Sequence, residues 1–214
     1  GIVVIHDEVQ PVEILETEVA YSGRVWAIVK DRFRLGNQEI VRDYLQHMGA
    51  VAVVAVDDEQ RVLTISQYRH PVGARMVEIP AGLLDDFDED PATAAARELL
   101  EESGYVADSY ETLIDICTTP GSSSETLRIY LATGLTRQDW DPSELHAEEQ
   151  EISVEWVPIE EAVTAILQGL WQSPTAVSGI LAYAARGKRA LRDAETPWPL
   201  RAHTVSTNRV FRQS

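Results

Sequence analysis

Residues 82–105 constrain this chain more than any other stretch, because they predict a short helix with defined ends and a dense acidic pattern. The sequence there is GLLDDFDEDPATAAARELLEESGY. Asp90 is a favourable N-cap, and Pro91 suits the first helical position, where its missing N–H would have had no partner anyway. Three consecutive alanines favour the helix, and Gly104 provides a left-handed residue that ends it.

Three glutamates of the predicted helix form the acidic pattern. Glu98, Glu101 and Glu102 stand at i, i+3 and i+4, which places them on one face with Cβ atoms roughly 5–6 Å apart. Such carboxylates repel one another unless a cation lies between them, and Mg²⁺ takes carboxylate oxygens together with substrate phosphates. The pattern alone leaves open a metal–phosphate site or a solvated acidic face. The opposite face is expected to dock on a core; it carries Ala92, Ala95, Ala96 and Leu99.

The spacing of the whole segment resembles the box of the Nudix hydrolase family. That box runs Gly, five residues, Glu, seven residues, then Arg-Glu-hydrophobic-x-Glu-Glu-x-Gly-hydrophobic. In this chain six residues separate Gly82 from Glu89, so Glu89 fits with a one-residue insertion and Asp88 stands at the strict spacing. The matching positions are Gly82, Glu89, Arg97, Glu98, Leu99, Glu101, Glu102, Gly104 and Tyr105.

A competing metal interpretation of the same segment fails. Asp86, Asp88 and Asp90 begin like an EF-hand calcium loop. However, Pro91 stands where that loop needs a glycine, and Arg97 stands where it needs its final glutamate. The segment is therefore not a calcium loop.

The resemblance implies roles for the residues of the box. Glu98, Glu101 and Glu102 are implied ligands of Mg²⁺, with Mn²⁺ as a substitute, and Glu98 is also implied to orient a water. The carbonyl oxygen of Ala81 is implied to complete the shell of one ion. Arg97 is implied to pair with a box carboxylate and fix its rotamer. The structural positions of the box are then Gly82, Glu89, Arg97 and Gly104.

Comparison with Nudix members that act on ADP-ribose implies substrate contacts outside the box. Arg69, at the end of a Gln-Tyr-Arg strand, is implied to clamp a phosphate oxygen, although it also fits a surface arginine at a strand end. Glu78 is implied to join the metal or ribose shell. Arg42 and Asp43 resemble an Arg-acid pair that reaches the neighbouring subunit's site in dimeric members.

Two further marks lie downstream of the box. Pro120 follows Tyr105 by 15 residues, at about the distance typical of the ADP-ribose subgroup, although Pro-Gly is first of all a turn. An acidic loop precedes Trp156, and acid-rich loops are usually just solvated. By resemblance it carries a catalytic glutamate. We choose Glu148, with Glu149 as the alternative that spacing does not separate from it.

The alternation of strands and helices around the box indicates an α/β fold, and the resemblance sharpens this to a Nudix fold, a mixed β-sheet sandwiched between α-helices. Alternation in residues 12–47 predicts a three-stranded antiparallel sheet before it. Residues 50–56 and 61–69 predict a hairpin, joined by a polar turn. Further strands are expected at 111–118, 125–133 and 152–158, and helices at 159–169 and 174–186. We divide the chain into an N-terminal sheet (1–47, dimerisation), a Nudix domain (48–187) and a C-terminal tail without clear period (188–214).

Charge and cysteine content restrict the partners. A net charge of −17 argues against nucleic acid, because no basic stripe is present to neutralise phosphates. The single cysteine excludes an intramolecular disulfide and favours the cytoplasm, and no signal peptide or membrane span is expected. We predict Mg²⁺-dependent hydrolysis of ADP-ribose to AMP and ribose 5-phosphate by a homodimer. The alternatives are hydrolysis of another nucleoside diphosphate sugar, such as GDP-mannose or a UDP-sugar, and a non-catalytic nucleotide sensor.

Overall fold

The structure is a computed structural model that describes residues 4–139, 141 and 151–211. The chain forms two compact units, and neither is continuous in sequence. The first comprises Gly1–Gly49, Cys117–Thr126 and Pro197–Ser214, and the second comprises Ala50–Ile116 and Leu127–Thr196. No helix of the described residues is long and apolar enough to cross a membrane.

The first unit contains the three-stranded antiparallel sheet that the sequence predicted. Its strands are β1 (Glu13–Ser22), β2 (Ala27–Leu35) and β3 (Gln38–Gln46), in the order β1-β2-β3. Gly36 opens the β2–β3 turn with a φ of 59°, a backbone conformation that glycine adopts at little cost. Strand β2 carries the buried residues Ala27 and Val29, whereas most of β1 is exposed.

The C-terminal segment of the first unit is more ordered than its sequence suggested. Helix α4 (Pro199–Ser206) lies within residues 188–214, which we had described as a tail without clear period. Long-range polar contacts hold the segment: the buried Arg201 donates from Nη1 to the Met48 carbonyl, and Arg209 N–H donates to Gln46 Oε1 at 3.1 Å. These contacts, not a helical period, fix the segment, which explains why its pattern predicted no structure.

A buried histidine of the first unit makes its stability depend on pH. The Gly49 N–H donates to His47 Nδ1 at 2.8 Å, which requires a neutral ring. Burial lowers the pKa of His47 below its ordinary value of about 6.5, although Glu125 acts in the opposite direction. Below pH ~6.5 the unfolded chain therefore binds a proton that the folded chain resists, so the free energy of unfolding falls as the pH decreases.

We expect urea unfolding, followed by tryptophan fluorescence, to give a lower stability at pH 5.5 than at pH 7.5. The variant His47→Gln should lose less stability over the same interval. Trp26, whose ring centroid lies 4.6 Å from that of His47, is a local reporter. Identical pH dependence in both proteins would contradict this assignment.

The second unit contains a mixed five-stranded sheet of order β11-β8-β9-β4-β7 and a three-stranded sheet of order β10-β5-β6. Strand β4 lies parallel to β9 and antiparallel to β7. The strands are β4 (Ala50–Ala55), β5 (Arg61–Arg69), β6 (Ala74–Glu78), β7 (Ala81–Leu83), β8 (Tyr105–Cys117), β9 (Thr126–Arg137), β10 (Ser153–Pro158) and β11 (Arg192–Asp193). The helices are α1 (Pro91–Ser103), α2 (Ile159–Leu167) and α3 (Pro174–Arg186).

Helices cover both faces of the five-stranded sheet, as the predicted α/β fold requires. One face forms a buried cluster with α2 and α3 that includes Val54, Ile129 and Ile180. Val53, also fully buried but outside that cluster, points to the other face because side chains alternate along a strand. Helix α1 packs on β4 and β7. The prediction of a mixed sheet between helices is confirmed.

The predicted hairpin of residues 50–56 and 61–69 is wrong. Strands β4 and β5 belong to different sheets, and a single bridge, Val56–Val62, joins their ends. The polar turn is present, with Gln60 at a φ of 59°. However, β4 is buried along its whole length, pairs with β9 on one edge and pairs with β7 over its first half on the other, so β5 joins a different sheet.

Candidate active site on helix α1

Helix α1 begins and ends where its sequence predicts. Asp90 is the N-cap and accepts a hydrogen bond from the Thr93 N–H at 3.0 Å, and Pro91 occupies the first helical position. Gly104 ends the helix with a φ of 76°, and its N–H donates to the Leu100 carbonyl at 2.8 Å. These caps fix the residues at which the helix begins and ends.

The acidic pattern of α1 is divided between its buried and exposed sides. Glu98 and Glu102 are buried together with Leu99, whereas Glu101 is exposed. The expectation that all three carboxylates lie opposite an apolar face is therefore wrong for two of them. Glu98 and Glu102 are one helical turn apart, and Leu99 is adjacent to both, so the three share the side that packs on the sheet.

Strand β7 receives the two buried glutamates. Glu102 Oε2 accepts a hydrogen bond from the Ala81 N–H at 2.9 Å. The Glu98 carboxyl group lies against Gly82, where a Cβ atom would stand 2.1 Å from Glu98 Cδ. Gly82 is thus required for the close approach of a carboxylate, and not for a left-handed backbone conformation. This contact joins β7 to α1 and was not predicted from the sequence, which indicated only a structural role for Gly82.

Arg97 binds three of the nearby carboxylates. It contacts Glu89 through two bonds, Nε–Oε1 and Nη2–Oε2, each of 3.1 Å. Its Nη1 lies 2.8 Å from Glu98 Oε1 and 3.3 Å from Glu101 Oε2. Hydrogen bonding to Glu89 and the charges of the three glutamates raise the pKa of Arg97. The guanidinium therefore holds Glu98 and Glu101 in place and shields part of their charge.

The donor set on α1 fits a hard divalent cation. Four carboxylates, those of Glu89, Glu98, Glu101 and Glu102, and one guanidinium, which contacts the first three, have a formal charge of −3. Carboxylate oxygens are the ligands that Mg²⁺ and related ions prefer. Within the described part of the chain no three acidic, histidine or cysteine side chains converge as a ready-made metal cage. In this structure the positive charge between Glu98 and Glu101 is that of Arg97 Nη1.

Arg69 and Glu78 form a second polar group in the same unit. Arg69 donates to the two carboxylate oxygens of Glu78 from Nε at 2.8 Å and from Nη2 at 2.7 Å. The Glu78 side chain is only 4% exposed, whereas that of Arg69 is 45% exposed. A buried carboxylate thus orients a guanidinium that reaches the surface. Arg69 is opposite Ala74 and Glu78 is opposite Ile65, so the two side chains meet along the β5–β6 pair and not directly across it. Sequence spacing did not indicate this contact.

The remaining predicted site residues lie elsewhere in the chain. Arg42 and Asp43 are exposed residues of β3, and Pro120 is in the segment Cys117–Thr126, so all three belong to the first unit. Glu148 and Glu149 lie outside the described residues. Glu151 is the first described residue after these two. Its Oε2 forms an ion pair with Arg75 Nη2 at 3.0 Å. Both partners are exposed, so this pair adds little stability.

Comparison with known proteins finds the family whose box the sequence resembles, over more than half of the chain. A family model described as the NUDIX domain matches residues 46–176. An ADP-ribose pyrophosphatase of Mycobacterium tuberculosis is 39% identical over 203 residues, covering 94% of this chain and 97% of that protein. A methanol dehydrogenase activator of Bacillus methanolicus is 41% identical over 126 residues, covering 58% of this chain and 68% of that protein.

A solved structure has the same fold. The crystal structure of an ADP compounds hydrolase superimposes with a TM-score of 0.65 at 20% identity, over 84% of this chain and 95% of that one. At that identity the likeness concerns the fold alone.

Proposed function

The chain belongs to the NUDIX family, and on that premise we propose that it is a Mg²⁺-dependent hydrolase that converts ADP-ribose to AMP and ribose 5-phosphate. The observation that carries this proposal is the carboxylate cluster of α1. Two of its glutamates are held against β7, and Arg97 orients a third. The similarity to an ADP-ribose pyrophosphatase over nearly the whole chain supports the choice of substrate.

The glutamates of α1 are the proposed holders of the cation. Glu98, Glu101 and Glu102 provide carboxylate oxygens, and the carbonyl of Ala81 lies in the strand that Glu102 contacts. Such a cation supplies neutralisation of the negative charge that develops on the diphosphate oxygens. Mn²⁺ offers similar coordination and is the proposed substitute.

The other proposed roles belong to residues that bind the substrate and move a proton. Arg69, oriented by Glu78, offers its exposed guanidinium to a phosphate oxygen. A water attacks one phosphorus of the diphosphate, the bridging P–O bond breaks, and the proton of that water passes to a general base. We assign the base to Glu148, with Glu149 as the alternative. The reaction needs no covalent enzyme intermediate.

A panel of substrates tests the activity. We expect ADP-ribose with Mg²⁺ to give a kcat/KM at least tenfold above those of GDP-mannose and UDP-glucose. Products are identified by mass, and one run in ¹⁸O-water shows from its label which phosphorus is attacked. A higher kcat/KM for GDP-mannose or UDP-glucose would mean that this compound, and not ADP-ribose, is the preferred substrate. Binding without turnover of any compound would support the nucleotide sensor instead.

The N-terminal sheet supports the proposal that the protein assembles as a homodimer. The single cysteine is the basis for proposing a cytoplasmic location. Strand β1 is an edge strand and exposes Val19 (46%) and Tyr21 (65%), and β3 exposes Val41 (45%). Exposed apolar side chains on a sheet with a free edge favour association with a second copy. In the proposed dimer Arg42 contributes to the neighbouring subunit's substrate site.

We expect light scattering to give the mass of a dimer for the full chain. Tyr21→Glu should shift it towards monomer, because a charge would be buried in the interface. Leu167→Glu is the matched control, since Leu167 is 75% exposed on helix α2 of the second unit and should tolerate the charge. Arg42→Gln should raise the KM for ADP-ribose. A monomeric and fully active wild-type protein would refute the shared site.

A further inference from the structure

An open cleft at the C-terminal end of α3 is lined by arginines and by apolar side chains. It has a volume of about 460 Å³ and lies between α3 and strands β8 and β11. We call it the arginine cleft, after Arg186, Arg189 and Arg192, which line it together with the apolar residues Leu113, Ala182 and Leu191. A volume of this size falls within the range of about 300–1,000 Å³ that is usual for small-molecule sites.

The arginine cleft is set apart from the carboxylate cluster of α1. Leu113 belongs to the buried cluster that α2 and α3 form on one face of the five-stranded sheet, and Ala182 and Leu191 pack against it. Helix α1 contacts β4 and β7 instead. A ligand in the cleft would therefore not touch the glutamates of α1.

The charge of the cleft is opposite to that of the chain. Residues 186–192 carry four of the 18 lysines and arginines of a protein whose net charge is −17. Three of those four line the cleft. A local concentration of guanidinium groups in an acidic protein favours an anionic ligand.

The arginines are held in place yet keep donors available. Arg186 stacks on Tyr183, 4.1 Å from the ring centroid, and donates from Nη1 to the Gly187 carbonyl. Arg189 uses Nη1 to cap the carbonyls of Ala185 and Arg186 at 3.0 and 3.1 Å, which shields a ligand from the negative end of α3. Within the described residues neither Arg186 nor Arg189 forms an ion pair, whereas Arg192 pairs with Asp115 at 3.1 Å.

We propose that the arginine cleft is a second, non-catalytic binding site for a small organic phosphate monoester. Guanidinium groups bind phosphate oxygens in pairs of parallel hydrogen bonds, and the apolar floor covers the body of the ligand. The volume of the cleft suits a metabolite, whereas a stable protein–protein interface needs a much larger surface. Nucleoside monophosphates and sugar phosphates share this chemistry.

Calorimetry on the full chain distinguishes nucleoside monophosphates from sugar phosphates. The experiment is done in EDTA, because removal of divalent cations weakens phosphate binding at the α1 cluster. The probes are AMP and ribose 5-phosphate, with adenosine and ribose as the uncharged partners and with inorganic phosphate. We expect saturable binding of AMP, of ribose 5-phosphate or of both, and none of adenosine or ribose. Inorganic phosphate should bind at least tenfold more weakly, because it does not cover the floor. Equal binding of inorganic phosphate would overturn the assignment to an organic phosphate.

The variants test the location. Arg186→Gln combined with Arg189→Gln should weaken binding at least tenfold, or about 1.4 kcal/mol, and leave the rate of hydrolysis at the α1 site unchanged. If the double variant fails to fold, the single variant Arg186→Gln takes its place. This variant keeps the cap of α3, which Arg189 provides, and should also weaken binding. Arg137→Gln, at an exposed arginine at the end of β9, is the matched control. Absence of phosphate binding, or binding equal in wild type and Arg186→Gln, would overturn the proposal.

Discussion

Replacing Glu101 by glutamine should lower turnover at least 100-fold while leaving the fold intact. The side chain is 48% exposed and forms a 3.3 Å ion pair with Arg97, so the folded state depends little on it. In the proposed activity the same carboxylate holds a cation, and loss of such a ligand removes several kcal/mol of charge stabilisation. A 100-fold change corresponds to about 2.7 kcal/mol. Glu102→Gln should have a similar effect on turnover.

The measurement is steady-state kcat for ADP-ribose with Mg²⁺, together with thermal unfolding of each variant. Glu160→Gln is the matched control, because Glu160 is an exposed glutamate in the first turn of α2. Its turnover should remain within about twofold of wild type, whereas excess EDTA should abolish the activity of every variant. Full activity in EDTA would remove the metal from the mechanism.

Gly82→Ala should also reduce turnover by about 100-fold or more, through the position of a carboxylate. The new Cβ would stand 2.1 Å from both Cδ and Oε1 of Glu98. The carboxyl group must then leave its place against β7. Because the clash is with the end of a side chain and not with backbone, we expect a stability loss of only about 1–3 kcal/mol. For a chain of this size each kcal/mol lowers the Tm by about 2–4 °C.

A shorter side chain at position 98 provides an internal check. Combining Gly82→Ala with Glu98→Ala should recover part of the lost Tm, because Cγ, Cδ and Oε1 of Glu98, the three atoms that the new Cβ would meet, are then absent. Gly121→Ala is the matched control: a Cβ there meets nothing within 4 Å, so activity and Tm should not change. Wild-type kcat in Gly82→Ala would mean that the position of Glu98 against Gly82 does not matter for catalysis.

Local signals in the sequence predicted several of the elements, but not β6, β7, β11 or α4. Caps determine the ends of α1, since Asp90 and Gly104 each act through atoms of their own backbone or side chain. Alternation predicted the sheet of the first unit, and it predicted β10 to within one residue. In each case the responsible interaction lies within a few residues, so a single sequence contains it.

Contacts between distant segments were not predictable in the same way. The pairing of β4 with β7 and β9 replaced the expected hairpin, because a buried strand selects partners from the whole sheet. The rotation of α1 buried Glu98 and Glu102, although carboxylates are usually exposed. The contact of Glu98 with Gly82 and the pair Arg69–Glu78 depend on how β7, α1, β5 and β6 are brought together.

The polar contacts of Arg201 and Arg209 have a consequence for the order of folding during synthesis. Arg201 binds the Met48 carbonyl, and Arg209 N–H binds Gln46, so the partners are 153 and 163 residues apart. A ribosome adds about 5–20 residues per second, which separates the appearance of these partners by roughly 8–30 s. The second unit, complete at Thr196, has its whole sequence before Pro197–Ser214 emerges. The sheet of the first unit therefore lacks its contacts with Arg201 and Arg209 until these two residues leave the ribosome.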